Sequence, residues 1–179
     1  ERGLTLIHPF DDPMLIAGHG TVGQEISEDL EDVDAVICGI GGGGLSGGLG
    51  VALADTSTRL FGVEPEGAAT MSRALEAGSP VHLEAVDTIA EGLAPPFVGE
   101  LNLLAAQRHV EAVTTVTDDQ IRDALRLLLE RTKNVVEPSG AAALAGLLAD
   151  AFPIESGSRV VIVISGGNVD LHRLGELLG

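Results

Sequence analysis

Short apolar runs alternating with helix-period patterns predict a three-layer α/β domain, with a mostly parallel sheet and helices on both faces. Three observations carry this expectation. Residues 35–38, Ala-Val-Ile-Cys, and 160–164, Val-Val-Ile-Val-Ile, are unbroken apolar runs of strand length, as strands covered on both faces require. Each is followed by a glycine-rich turn, Gly39-Ile40-Gly41-Gly42-Gly43-Gly44 in one case and Ser165-Gly166-Gly167 in the other. Between them recur apolar stripes of helical period, the clearest formed by Ile121, Leu125, Leu128 and Leu129.

Taken in order, residues 4–8 are the first expected strand, and 21–30 a helix with Val22, Ile26 and Leu30 on one face. Residues 35–40 form the second strand and 45–55 the helix after the glycine run. The third strand spans 59–63 and ends at Glu64-Pro65. Residues 67–77 read as helical, and 78–96 as loop, because Gly78, Pro80, Gly92, Pro95 and Pro96 interrupt any period. A helix over 101–108 and a strand over 112–116 follow. Thr117-Asp118-Asp119-Gln120 is a capping box, with acids placed against the positive end of the helix it opens over 119–131. Residues 139–151 form an alanine-rich helix that must pack closely, 159–164 the last strand and 171–178 a closing helix. No linker divides the chain, so 1–179 reads as one domain. Apolar residues make up 45% of it, ample for a core at this length, and with aromatics at 2% that core is aliphatic.

The 27 acidic residues outnumber the 10 basic ones, for a net charge of −17, and Lys133 is the only lysine. Such a surface excludes nucleic acid and anionic membranes as partners, because phosphate contacts need clustered Lys and Arg. The acids are spread along the chain, which argues against disorder. Diffuse acidity nearly free of lysine predicts a halophilic character, in which salt screens self-repulsion. No apolar run reaches the length of a membrane helix. The single cysteine, Cys38, lies in an apolar strand and reads as a buried structural thiol. The expectation is a cytoplasmic protein.

Four consecutive glycines cost conformational entropy, so the backbone there does something that side chains would obstruct. A helix start offers free N–H groups and a positive dipole end, a seat for phosphate. The plainer alternative is a tight strand–helix connection. Residues 39–44 also match the dinucleotide fingerprint, and Glu64 ends the next strand, where a ribose-binding acid belongs. A nicotinamide or flavin oxidoreductase therefore competes. Ser165 places a hydroxyl at the carboxyl end of a strand, in the crevice where open α/β sheets bind ligands. With the glycine run it reads as the far end of one cofactor site.

Further motifs join these two: His8-Pro9-Phe10-Asp11-Asp12-Pro13, Ile16-Ala17-Gly18-His19-Gly20-Thr21, Gly62-Val63-Glu64-Pro65 and Thr88-Ile89-Ala90-Glu91-Gly92. Val116-Thr117-Asp118, Glu137-Pro138-Ser139-Gly140-Ala141 and Asn168-Val169-Asp170 complete the set. Over nearly its whole length the chain thereby resembles the fold-type II pyridoxal-phosphate enzymes, and among them the threonine (serine) dehydratases and serine racemases. The resemblance implies pyridoxal 5'-phosphate as cofactor, its phosphate on the backbone N–H groups of Gly41, Gly42, Gly43, Gly44 and Leu45 and its pyridine nitrogen on Ser165. A hydroxyl cannot hold the pyridine protonated as a carboxylate does, which suits loss of a β-hydroxyl. A divalent cation, Mg or Mn, is implied at Glu64, the carbonyl of Ala68 and Thr70, where threonine replaces the usual aspartate and is the poorer ligand. The implied reaction is deamination of the amino acids L-threonine or L-serine to a 2-oxo acid and ammonia, by a homo-oligomer (dimer or tetramer). Serine racemase and threonine synthase relatives share the scaffold.

The lysine that carries the cofactor in this family, in a Ser-x-Lys motif, has no counterpart here. Lys133 lies in Arg131-Thr132-Lys133-Asn134 and matches no such motif, so no residue of the chain is assigned as catalytic. The chain reads as the C-terminal portion of a longer enzyme and is expected to be inactive alone. A regulatory or assembly module is the non-enzymatic alternative. His8 and His19 read as structural, and Glu137 as a helix-start carboxylate.

Overall fold

The computed structural model describes residue 3 and residues 8–178. Its frame is a four-stranded parallel sheet in the order β3-β2-β1-β4, built from β1 (Ala35–Gly39), β2 (Arg59–Pro65), β3 (Ala112–Val116) and β4 (Val160–Ile162). In register, Ile37 lies between Phe61 on β2 and Ile162 on β4, and Val63 is paired with Thr114 on β3. The helices among the described residues are α1 (Pro13–Asp29), α2 (Gly44–Ala52), α3 (Thr70–Ala77), α4 (Glu100–His109), α5 (Asp118–Thr132), α6 (Pro138–Leu148) and α7 (Leu171–Leu178).

Alternate strand residues feed two apolar layers. Ala35, Ile37, Phe61 and Val63 pack against Ile121 and Leu125 of α5, the alanine face of α6 and Leu174 of α7. Val36, Cys38 and Leu60 face the other way, onto Leu49 of α2, Met71 of α3 and Leu103 of α4, with Val22 and Ile26 of α1 behind. Helices therefore cover both faces, as the sequence predicts. Each fully buried aliphatic side chain contributes about 1.5–3 kcal/mol to this assembly. All five residues of β1 are buried, whereas β4, at the sheet edge, is half-buried throughout. The chain's four phenylalanines form two pairs, Phe61–Phe152 with ring centroids 4.8 Å apart and Phe10–Phe97 at 5.3 Å.

Several boundaries differ from the sequence reading. The expected strand 4–8 lies, apart from His8, outside the described residues. The first helix starts at Pro13 rather than 21, because Asp12 caps it: its Oδ1 accepts the N–H groups of Met14 (2.8 Å) and Leu15 (3.3 Å), with proline ideally placed at the first position. The helix expected over 67–77 is broken into a short 3-10 turn, Glu66–Ala68, and α3. The last strand is shorter than 159–164, and among the described residues its one partner strand is β1. The capping box of α5 forms in full, Thr117 Oγ1 accepting from the Gln120 amide (3.2 Å) and Gln120 Oε1 from the Thr117 amide (2.8 Å).

Candidate functional site

The glycine run leaves the carboxyl end of β1 and turns into α2. Gly43 caps that helix in the left-handed region, φ +92°, and a methyl group there would lie 2.7 Å from Asn102 Cβ. Glycine alone meets both conditions. The first bond within α2 runs from the Gly47 amide to the Gly43 carbonyl (2.8 Å), and the Ser46 hydroxyl donates to the same oxygen (3.1 Å). The amides of Gly44, Leu45 and Ser46 thus precede the helical ladder, at the positive end of the helix, and no side chain caps them.

Ser165 follows β4, the parallel neighbour of β1, so its hydroxyl belongs to the same sheet edge as the glycine run. Both line one cleft of about 660 Å³, walled also by Phe10, His19, Leu93, Pro95 and Val163. Three of the sequence motifs turn out to be fasteners for this cleft. Ser139 Oγ accepts the Gly92 amide (2.8 Å), and the Glu137 amide donates to the Gly166 carbonyl (3.1 Å), which holds the turn bearing Ser165 against the start of α6. Asp118 accepts the Thr88 hydroxyl (2.6 Å) and the Ile89 amide (3.0 Å), tying the 84–90 loop to α5.

The other candidate residues lie elsewhere. Glu64 is fully buried, does not line the cleft, and faces the start of α3: Oε1 accepts the Met71 amide (2.6 Å), and Oε2 the Ser72 amide (2.9 Å) and hydroxyl (2.6 Å). Burial raises its pKa, while those donors pull it back down. A carboxylate so engaged is not free for a ribose, and the dinucleotide reading loses its acid. The Thr70 hydroxyl donates to the Pro95 carbonyl (3.0 Å) and lies 3.5 Å from that of Ala68. Among the described residues no three His, Cys, Asp or Glu side chains gather as a metal site would need. Lys133 ends α5, exposed, its Nζ donating to the Glu130 carbonyl (2.6 Å), and it does not line the cleft. His8 is structural, its Nδ1 accepting the Asp11 amide (2.8 Å). His19 stands on the cleft wall with Nδ1 buried and unpartnered. Cys38 is buried, which pushes its thiol up to about 12 and leaves it inert. Burial, and then the charge of Glu91, raises the pKa of Glu137.

Sequence reasoning missed the residues that brace the loop. The Phe10 ring lies directly on Gly42, in space that a methyl group at Gly42 would fill. Asp11 accepts the Glu100 (3.2 Å) and Leu101 (3.1 Å) amides, capping α4. Asn102, on α4, donates to the Phe10 and Gly42 carbonyls. The Phe10-Asp11 motif was the only signal available, and its partners lie far off in sequence.

Comparison with known proteins accords with this geometry. Residues 1–166 match the family described as pyridoxal-phosphate dependent enzyme. The chain is 45% identical over 184 residues to the biosynthetic L-threonine dehydratase of Mycobacterium bovis, covering 99% of this chain and 42% of that one. Among solved structures it superposes on the processed form of threonine deaminase isoform 2 from Solanum lycopersicum, with TM-score 0.92, 38% identity and coverage of 98% of this chain and 49% of that one. Maize serine racemase gives TM-score 0.89 at 38% identity, over 97% and 54% of the two chains. The chain thus spans about half the length of these relatives, or less.

Proposed function

Because the chain belongs to the family of pyridoxal-phosphate-dependent enzymes, we propose that its cleft seats pyridoxal 5'-phosphate. The phosphate would rest on the amides of Gly41, Gly42, Gly43, Gly44 and Leu45, and the pyridine nitrogen on Ser165. The full-length parent of this chain would deaminate L-threonine or L-serine to a 2-oxo acid and ammonia. The observation that carries this reading is the pairing of a capless helix start with a strand-end hydroxyl on one cleft. The donor set suits a phosphate, since backbone N–H groups at a helix start offer hydrogen bonds and dipole together. The names of the relatives support the substrate class, and maize serine racemase makes racemisation the second reading.

Bound there, the cofactor supplies an electron-withdrawing ring beside the substrate's α-carbon. The chain's own residues hold and shield it. The loop amides fix the phosphate end, while Ser165 meets the ring nitrogen with a neutral hydroxyl, a setting that favours departure of a β-hydroxyl over prolonged carbanion character. Leu93, Pro95 and Val163 give that wall of the cleft an apolar lining. Among the described residues no lysine lines the cleft, Lys133 standing exposed at the end of α5, so on this reading these 179 residues bind the cofactor without turning over substrate.

The divalent cation does not fit the residues present. Glu64 is a lone carboxylate already accepting three hydrogen bonds, and Thr70 offers only a hydroxyl. The proposal extends to a cytoplasmic homo-oligomer. It is supported by an apolar groove between α1, α2 and α4 in which Val51, Leu101 and Leu104 stand exposed. Pyridoxal phosphate titrated into the protein should bind and be displaced by inorganic phosphate but not by NAD(P). The full-length gene product should yield 2-oxobutyrate from L-threonine, with serine racemisation assayed beside it. Saturable NAD(P) binding at the loop would reverse the assignment.

A further inference from the structure

We propose that Asn102 is a positioning residue for the phosphate seat, setting the direction of the Gly43 amide by clamping the peptide that carries it. This deepens the reading above and rests on it. Asn102 is fully buried on α4, its side chain against Gly43 and Gly47 at the start of α2. Its Nδ2 donates to the Gly42 carbonyl (3.0 Å) and the Phe10 carbonyl (2.8 Å), and two acceptors at those distances fix which end of the side-chain amide is nitrogen. The Gly42 oxygen also receives the Gly99 amide, at 3.4 Å.

That carbonyl and the Gly43 N–H belong to one peptide unit. In a trans peptide they point in opposite directions, and the described residues contain no cis bond. Pinning the Gly42 oxygen onto α4 therefore turns the Gly43 N–H to the other side of the loop. The cleft lies on that side: its wall includes Gly42, Gly43 and Gly44 and no residue of α4. The backbone does not enforce this direction by itself, because a glycine–glycine peptide flanked by no Cβ rotates with little hindrance. Asn102 Oδ1, meanwhile, is buried without a partner among the described residues. An apolar side chain of the same shape would avoid that loss, so the amide sits where packing alone would place leucine.

Asn102→Leu keeps the volume and removes the donor. Asn102→Asp keeps the shape and turns an oxygen toward two carbonyls. In the protein and both variants, the Gly42 carbonyl 13C shift reports the peptide direction. Titration with inorganic phosphate, followed at the Gly43 and Gly44 amides, reports the seat. The expected result is a moved Gly42 shift and phosphate affinity weakened about tenfold in the leucine variant, more in the aspartate variant, with the Gly43 amide no longer responding. A residue that merely fills space would lower Tm while leaving the Gly42 shift and the phosphate affinity unchanged, and that outcome overturns the inference. Loop amides of the unsubstituted protein that ignore phosphate would refute the phosphate reading instead, and the Gly42 shift in the variants would then decide Asn102 by itself. Should neither variant fold, the scalar coupling across the hydrogen bond between Asn102 Nδ2 and the Gly42 carbonyl is measured in the unsubstituted protein, where its presence supports the clamp and its absence overturns it.

Discussion

Cys38 and Glu64 owe their chemistry to what surrounds them, and both titrate in the same direction. Burial pushes the Cys38 thiol up to about 12 from an ordinary 9.0, so the folded state keeps a proton that the unfolded state sheds. Its contribution to stability is whole below pH 9.0 and lost as pH rises toward 12. At pH near 8 a thiol reagent should leave native Cys38 unlabelled and modify it fully after denaturation. Burial likewise raises Glu64 above its ordinary 4.5, so the native state loses ground as pH climbs past 4.5, and Glu64→Gln should flatten that part of the stability profile. At Gly43, alanine meets both a left-handed φ and the Asn102 side chain, so Gly43→Ala should cost about 1–3 kcal/mol in denaturant unfolding and abolish phosphate binding. Cys38 was legible because the apolar run around it already marks a strand buried on both faces. Asn102 was not: its two acceptors lie 92 and 60 residues away, and one polar residue early in a helix carries no signal.

Elements whose start signals are local were read well, and those fixed from a distance were not. The box at Thr117 and Gln120 is written within four residues. The cap of α4 is supplied by Asp11, 89 and 90 residues from the amides it accepts. The pattern over 67–77 reads as one helix, yet the chain breaks at Ala69 so that α3 can start against the Glu64 carboxylate. Thr117→Ala and Asp11→Ala should each cost about 1 kcal/mol as lost caps, measured by urea unfolding. They should differ at the cleft. Removing Asp11 loosens the segment that lays Phe10 on Gly42 and should weaken phosphate binding, whereas the Thr117 hydroxyl serves the Gln120 amide, and removing it should leave phosphate binding unchanged.

The arrangement of the whole molecule followed from the strand signals, because continuous apolar runs that end in glycine force parallel strands with ligand-binding turns at one edge. What the sequence could not convey was which polar residues meet behind that edge. Whole-molecule charge sets one more expectation. With a net charge of −17, self-repulsion opposes the compact state, so Tm should rise from low to molar salt; a Tm indifferent to salt would argue against a halophilic surface.

In the proposed reading the glycine loop and Ser165 are two ends of one cofactor seat. A crystal structure of the protein with pyridoxal phosphate tests it most directly. Phosphate oxygens should lie on the amides between Gly41 and Leu45, and the pyridine nitrogen within hydrogen-bond reach of Ser165 Oγ. A cofactor bound elsewhere, or seated on the loop with its ring turned away from Ser165, would contradict it.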